Sequence, residues 1–339
     1  MAAPFKPLAL TMGEPGGVGP EIANKAWRTL RADGPVFFVI GDPHVFDVND
    51  ASIERIETPE EARTVFPRAL PVIADTQTLQ TKPGVAAPET ANAVIRSIEQ
   101  AVAIVLGGRA SGVVTNPVQK SALYAAGFSF PGHTEFLEAL TTDAPMPDHR
   151  TRGAVMMLAG PDLRTVPVTI HQSVRDAVAT LSPDVIVRTA TITAEALRHD
   201  FAIAAPRLAI SGLNPHAGEG GALGAEDEMI IAPAVDKLRA AGLDAKGPLP
   251  ADTMFHAEAR AHYDAALCML HDQALIPAKT LAFHDAVNVT LGLPIIRTSP
   301  DHGVALDIAG KGVARADSLV AAIRLAADMA ARRVAPSDD

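Results

Sequence analysis

The chain has 339 residues, 48% hydrophobic and 20% charged, a composition that buries a large core and excludes a disordered polymer. At roughly 150 residues per domain the length corresponds to about two domains. Its 29 basic residues stand against 39 acidic ones, a net charge of −10, which argues against nonspecific nucleic-acid binding; the lone cysteine, Cys268, excludes an intrachain disulfide and any Cys-rich metal cluster.

Short apolar runs alternate with amphipathic stretches along most of the chain. Leu8–Thr11 reads as a strand, followed by a Gly/Pro loop and a helix from about Pro20 to Arg31. Val36–Ile40 reads as a buried strand stopped by Gly41-Asp42-Pro43. Pro88–Leu106 reads as a helix, with Val94, Ile95, Ile98, Val102 and Val105 on one face and Gly107-Gly108 at its end. Gly112–Thr115 follows as a strand. Ser182-Pro183 is a cap and first turn for a helix to about His199. Leu208–Leu213 and Ala265–Leu270 read as strands, and Glu226–Ala241 and Ala316–Arg332 as helices. Strands alternating with helices predict parallel sheets covered on both faces. No apolar run reaches the roughly 18 residues of a membrane span. Met1–Leu10 has no secretory pattern, so a soluble, cytoplasmic protein without membrane contact is expected.

Chemistry concentrates where apolar runs end. Gly13-Glu14-Pro15-Gly16-Gly17-Val18-Gly19-Pro20-Glu21 lies between a strand and a helix. It is either an anion cradle at a helix N-terminus or a tight turn, and it is not a dinucleotide-binding G-x-G-x-x-G. His171, His216 and His271 each follow an apolar run. Parallel strands deliver their C-terminal ends to one sheet edge, where three imidazoles can hold a divalent ion; the spacing equally allows surface or core histidines. In Gly132-His133-Thr134-Glu135, His133 and Thr134 either bind a phosphate or carboxylate, or Thr134 is only a helix cap. Lys279, Asn288 and Arg297 are polar residues among apolar runs, where an anionic ligand or ordinary salt bridges would partner them. Asp301–Gly312 is glycine-rich and contains an acid able to accept from a ribose 2′-hydroxyl.

Taken in order, the first glycine loop, Gly132–Glu135, Asn214–Glu219, His271-Asp272-Gln273, Asn288–Pro294 and Arg297–Gly303 resemble the 4-hydroxythreonine-4-phosphate dehydrogenase family of the vitamin B6 pathway over nearly the whole chain. The resemblance implies an α/β fold like that of isocitrate and isopropylmalate dehydrogenases, with two α/β/α domains and an active-site cleft between them. The expected domains are 1–130 with 280–339, carrying the cofactor loop, and 131–279, carrying metal ligands and dimer contacts. It further implies a homodimer with its active site at the subunit interface. It places a divalent metal, zinc foremost and magnesium or cobalt as alternatives, on His171, His216 and His271. Substrate binding falls to His133, Thr134, Lys279, Asn288 and Arg297, and catalytic roles to Lys279 and Asp252, with the general base left open between these and water. NAD is placed on His302, Gly303, Ala305, Asp307 and Ile308, while Arg315 departs from the wider superfamily's pattern at the adenine side.

The implied reaction is NAD-dependent oxidation of 4-phosphooxy-L-threonine at C3, then decarboxylation to 3-amino-1-hydroxyacetone 1-phosphate. A second departure, Gln172-Ser173-Val174-Arg175, is similar to relatives that oxidise other diols. D-threonate or D-erythronate 4-phosphate and cis-dihydrodiols are therefore the alternative substrates.

Overall fold

The computed structural model describes residues 6–48, 51–75, 77–130 and 132–334. The chain divides into two compact units, Met1–Pro145 with Leu293–Asp339, and Met146–Gly292. In chain order the strands among the described residues are β1 Leu8–Thr11, β2 Phe37–Gly41, β3 Ile53–Ile56, β4 Leu70–Ala74, β5 Val113–Val114, β6 Val155–Ala159, β7 Arg164–Pro167, β8 Arg207–Ser211, β9 Asp244–Leu249, β10 Ala265–Cys268, β11 Val287–Leu291 and β12 Arg297–Pro300.

The first unit orders its strands β3-β4-β2-β1-β5-β12, with every described pairing parallel. Every residue of β1, β2 and β12 is buried, as expected of strands covered on both faces. The helix Gly19–Leu30 starts with Pro20 in its first turn and buries Ile22, Ala26, Trp27 and Leu30, a stripe at helical spacing. The helix Ala91–Leu106 buries Val94, Ile98 and Val102, and a single turn at Pro88–Thr90 precedes it. The helix Asp317–Val334 closes the unit.

The second unit orders its strands β11-β6-β7-β10-β8-β9. β7, β10, β8 and β9 run parallel, whereas β11–β6 and β6–β7 are antiparallel. The antiparallel pair departs from the all-parallel expectation. For β6–β7 the cause is the short connection Gly160-Pro161-Asp162-Leu163, closed by Gly160 N–H donating to Leu163 O at 2.9 Å, which is too short for a crossover. Ser182 caps the helix Pro183–His199, its hydroxyl accepting from Val185 N–H. The expected helix at 226–241 is present from Ala232 to Ala240, but it is entered through a π turn at Asp227–Ile231. Among the described residues no helix is long and apolar enough to cross a membrane.

Candidate active site

In the second unit, β7, β10 and β8 are adjacent and parallel, so their C-terminal ends share one sheet edge. His171, His271 and His216 follow these three strands in that spatial order. The His171 and His271 rings stand side by side, centroids 5.9 Å apart at 42°. His271 opens the helix His271–Ala282, and its Nδ1 lies 2.8 Å from Asp272 Oδ1. A carboxylate on Nδ1 leaves Nε2 as the ring's outward lone pair. His171 and His216 are exposed, with φ of 50° and 54°. This left-handed backbone is uncommon for a side-chain-bearing residue and persists only where surrounding structure enforces it.

That enforcement is visible beneath the histidines. Thr169 Oγ1 donates to Met269 O at 2.7 Å, and Met269 N–H donates to Ser211 Oγ at 3.2 Å. Gln273 receives Leu270 N–H on Oε1 and donates from Nε2 to Gly212 O at 3.1 Å. The loops after β7, β10 and β8 are thus laced together. The His216 turn is further pinned by Asp227, which is fully buried and accepts from Leu213 N–H (2.8 Å), Asn214 N–H (3.1 Å) and Asn214 Nδ2 (2.9 Å). Asn214 Nδ2 also reaches Glu226 Oε2 at 2.8 Å, and this contact lowers the Glu226 carboxyl pKa. Nothing in the local pattern singled out Asp227; an acid at the head of a helix ordinarily faces solvent.

His171 and His271 are the two ligand candidates brought side by side, with His216 on the neighbouring loop. Among the described residues no three His, Cys, Asp or Glu side chains are grouped closely enough to hold a metal ion. The chemistry of this donor set nonetheless fits a borderline divalent ion: imidazole nitrogens suit zinc and cobalt, and hydrogen bonds underneath hold the loops that carry them.

Asp252 lies in the turn Ala251–Thr253 and is exposed. With Asp272, Gln273, Phe255 and Ile276 it lines an open groove beside the His271 helix. Lys279 is two turns beyond His271 on that helix and half-buried. Asn288 sits in β11 opposite Leu158 of β6. The divergent segment after His171 has a local explanation. Ser173 caps the helix Val174–Thr180, its Oγ accepting from Asp176 N–H at 3.2 Å, and Thr180 Oγ1 bonds to Gln172 Oε1.

The first unit carries a second cluster. Arg297 opens β12, is 4% exposed, and donates from Nη2 to Thr115 Oγ1 at 2.7 Å. Burial pushes its guanidinium pKa down to about 10, still charged at neutral pH. His133 opens the helix His133–Leu140; the N-cap is Gly132, so Thr134 lies inside the first turn and is not the cap. His133 Nε2 is sealed from solvent and has no hydrogen-bond partner among the described residues. Burial, with the charges of Arg297 and Lys120, drives the His133 pKa down to about 3, so the ring is neutral. A neutral imidazole, a buried cation and a helix N-terminus together suit an anion carrying hydrogen-bonding oxygens.

The loop Asp301–Gly312 belongs to the same unit. His302, Gly303 and Asp307 are exposed, and Ala305 and Ile308 are half-buried. A Cβ on Gly303 would meet nothing, and the Asp307 carboxylate faces solvent, as a group receiving a ribose hydroxyl must. This loop accounts for the first glycine segment. Val18 N–H donates to Val304 O (3.0 Å), and a Cβ on Gly17 would lie 2.8 Å from that same oxygen. The buried Glu21 carboxylate accepts from Gly312 N–H (3.2 Å) and Ala314 N–H (2.9 Å), while Lys25 Nζ donates to Glu21, Gly312 O and Ala314 O. Gly16 N–H goes to Glu14, whose carboxyl pKa is raised by burial. The amides of Glu14, Gly16, Gly17 and Val18 are therefore spent on protein partners, and the segment braces the 301–314 loop, as a tight turn would.

Comparison with known proteins bears out the family resemblance. Residues 34–326 match the model of the family described as pyridoxal phosphate biosynthetic protein PdxA. A 4-hydroxythreonine-4-phosphate dehydrogenase of Caulobacter vibrioides is 56% identical over 330 residues, 97% of this chain and 98% of that one. One from Bradyrhizobium diazoefficiens is 52% identical over 342 residues, covering 97% and 98%. The crystal structure of the Klebsiella pneumoniae 4-hydroxythreonine-4-phosphate dehydrogenase superposes with a TM-score of 0.83 at 36% identity, covering 97% of this chain and 99% of that one. The α/β fold expected from the motifs is the fold present, and the chain belongs to the pyridoxal phosphate biosynthetic PdxA family.

Proposed function

We propose that this chain oxidises 4-phosphooxy-L-threonine at C3 with NAD and a divalent ion, and that the resulting β-keto acid loses CO2 to give 3-amino-1-hydroxyacetone 1-phosphate. The observation that carries this reading is a buried, charged Arg297 close enough to His133 to act on its ring, whose Nε2 is sealed and unpartnered, a pair of groups suited to a phosphate. When bound, the divalent ion supplies a Lewis acid for the hydroxyl being oxidised, and NAD supplies the hydride acceptor.

His171, His216 and His271 would hold the ion, zinc foremost and cobalt or magnesium as alternatives. His302, Gly303, Ala305, Asp307 and Ile308 would hold NAD, with the Asp307 carboxylate favouring a ribose 2′-hydroxyl over a 2′-phosphate. Arg297 binds the substrate's charge bidentately, and His133 and Thr134 add neutral hydrogen bonds. Lys279 and Asn288 orient the rest of the substrate. The C3 hydroxyl proton leaves to Lys279, to Asp252 or to water. After the C1–C2 bond breaks, the electron pair resides on the enolate formed from the ketone, and a proton returns to C2. The working form in this reading is a homodimer with the site at the subunit interface, in the cytoplasm.

The test is NADH formation by purified, metal-reconstituted protein, with 4-phosphooxy-L-threonine and D-threonate or D-erythronate 4-phosphate supplied in parallel. Turnover of the amino substrate, lost in His171→Ala, is the expected result. Turnover of the sugar-acid phosphates alone would keep the chemistry and overturn the substrate. Full activity of protein diluted to monomers would remove the dimer from the reading.

A further inference from the structure

We propose that Lys120 is a further substrate-binding residue, the second cation holding the phosphate group beside His133 and Arg297; this rests on the functional reading above. Lys120 begins the helix Lys120–Ala125, six residues beyond the end of β5. The same strand end supplies Thr115, the residue that accepts from Arg297. A Cβ built on Gly132 would lie 3.5 Å from Lys120 Nζ and 3.1 Å from Glu135 Oε2. The ammonium therefore stands over the N-cap of the His133 helix. It is also close enough to His133 for its charge to oppose protonation of that ring. Gly132 lacks a side chain where these two charged ends come together.

Charge matching says what the ammonium is for. A phosphate monoester carries between one and two negative charges at neutral pH. Arg297 supplies one positive charge, and His133, kept neutral, supplies none. Lys120 is the remaining cation at this helix start. Among the described residues it makes no hydrogen bond or ion pair, Glu135 included. The lysine is solvent-exposed, so its conformation is free to close onto an incoming anion. A Lys acts here as a point charge, whereas the buried Arg297 fixes orientation. The pocket thus discriminates by charge: a phosphorylated substrate engages both cations, and a substrate with a neutral group at C4 leaves both unmatched.

The test uses the full-length protein and its Lys120→Ala and Lys120→Arg variants. Inorganic phosphate is the probe, read as a competitive inhibitor and by calorimetry, alongside KM and kcat for 4-phosphooxy-L-threonine. Lys120→Ala is expected to raise both KM and the phosphate inhibition constant between about tenfold and a hundredfold, the loss of one charge-assisted contact. The kcat should change less than about twofold, and Lys120→Arg should recover most of the loss. The His133 ring titration, followed by NMR, should move upward in Lys120→Ala and stay in place in Lys120→Arg. Unchanged phosphate binding in Lys120→Ala would overturn the proposal even with wild-type turnover intact. Absence of turnover in the wild type would instead sink the functional reading. Calorimetric loss of phosphate binding in Lys120→Ala would still support the lysine's role in that case.

Discussion

The two clusters of polar residues are built on opposite plans. In the first unit the inner polar atoms are buried, with Arg297 almost inaccessible and His133 Nε2 sealed, while the rest of His133 is half-buried and Lys120 is exposed. In the second unit His171 and His216 are exposed, and burial is transferred one layer down, to Asp227, Ser211 and Thr169. A group that recognises a fixed anion gains from a dry setting, where each charge-assisted contact is strong. A group that must exchange a ligand gains from an open position, and its precision then has to come from the loops that carry it. The left-handed backbone at His171 and His216 is the visible cost of that second plan.

The largest effect should come from removing a ligand candidate on the exposed edge. His271→Ala is expected to lower kcat at least about a hundredfold, with the KM for NAD unchanged, because it removes Lewis-acid stabilisation and leaves the cofactor loop alone. Reconstitution with excess zinc or cobalt should not restore it. A variant retaining more than a tenth of wild-type activity would show that the edge histidines do not serve the chemistry. Next in size is the layer beneath. Asp227→Ala strands the part-buried N–H groups of Leu213 and Asn214, while Asn214 Nδ2 keeps Glu226, and should destabilise the fold by about 1–3 kcal/mol. It should also weaken metal binding, measured by calorimetry, since His216 rides on that turn. Loss of stability with metal affinity intact would uncouple Asp227 from the site.

The legibility of these two regions in the sequence differs for the same physical reason. Buried strands announce themselves as apolar runs, so the ends carrying His171, His216 and His271 were readable, as was the cap at Ser182. The spatial order β7-β10-β8 was not readable, because it depends on long-range pairing that no local pattern encodes. Nor was the antiparallel hairpin of β6 and β7, whose apolar runs look like those of a parallel sheet. The supporting acids were invisible in a particular way. Asp227 and Glu21 look like solvated helix residues; they are buried because distant backbone amides converge on them, at Leu213 and Asn214 for one and Gly312 and Ala314 for the other. The first glycine segment was legible as a turn, while its role as a brace for the 301–314 loop required the fold.

That brace gives an intermediate effect. Glu21→Gln keeps the shape of the side chain and removes the charge that Gly312 N–H, Ala314 N–H and Lys25 share. The loop should loosen, raising the KM for NAD about tenfold while the KM for the phosphorylated substrate stays within about twofold. Equal changes in both would mean that the loop serves the unit's stability and not the cofactor.

The smallest effect is the most direct reading of the buried plan, and it appears as pH dependence. His133 in the folded chain stays neutral down to about pH 3, while in the unfolded chain it protonates near its ordinary value of 6.5. Between those values the unfolded state binds the extra proton, so stability rises with pH across this window. Stability that is complete above about pH 6.5 should therefore be lost as pH falls toward 3, by at most about 1.4 kcal/mol per pH unit from this one group. His133→Asn removes the titration and should flatten that part of the urea-unfolding profile between pH 6.5 and 5. His216→Asn, at an exposed histidine of the other unit, is the matched control. If His133→Asn and His216→Asn gave the same acid sensitivity as the wild type, His133 would be solvated and the contrast between a buried polar cluster and an exposed histidine edge would fail. A flattening confined to His133→Asn would fix the neutral imidazole beside Arg297 as a property of the folded chain, present before any substrate binds.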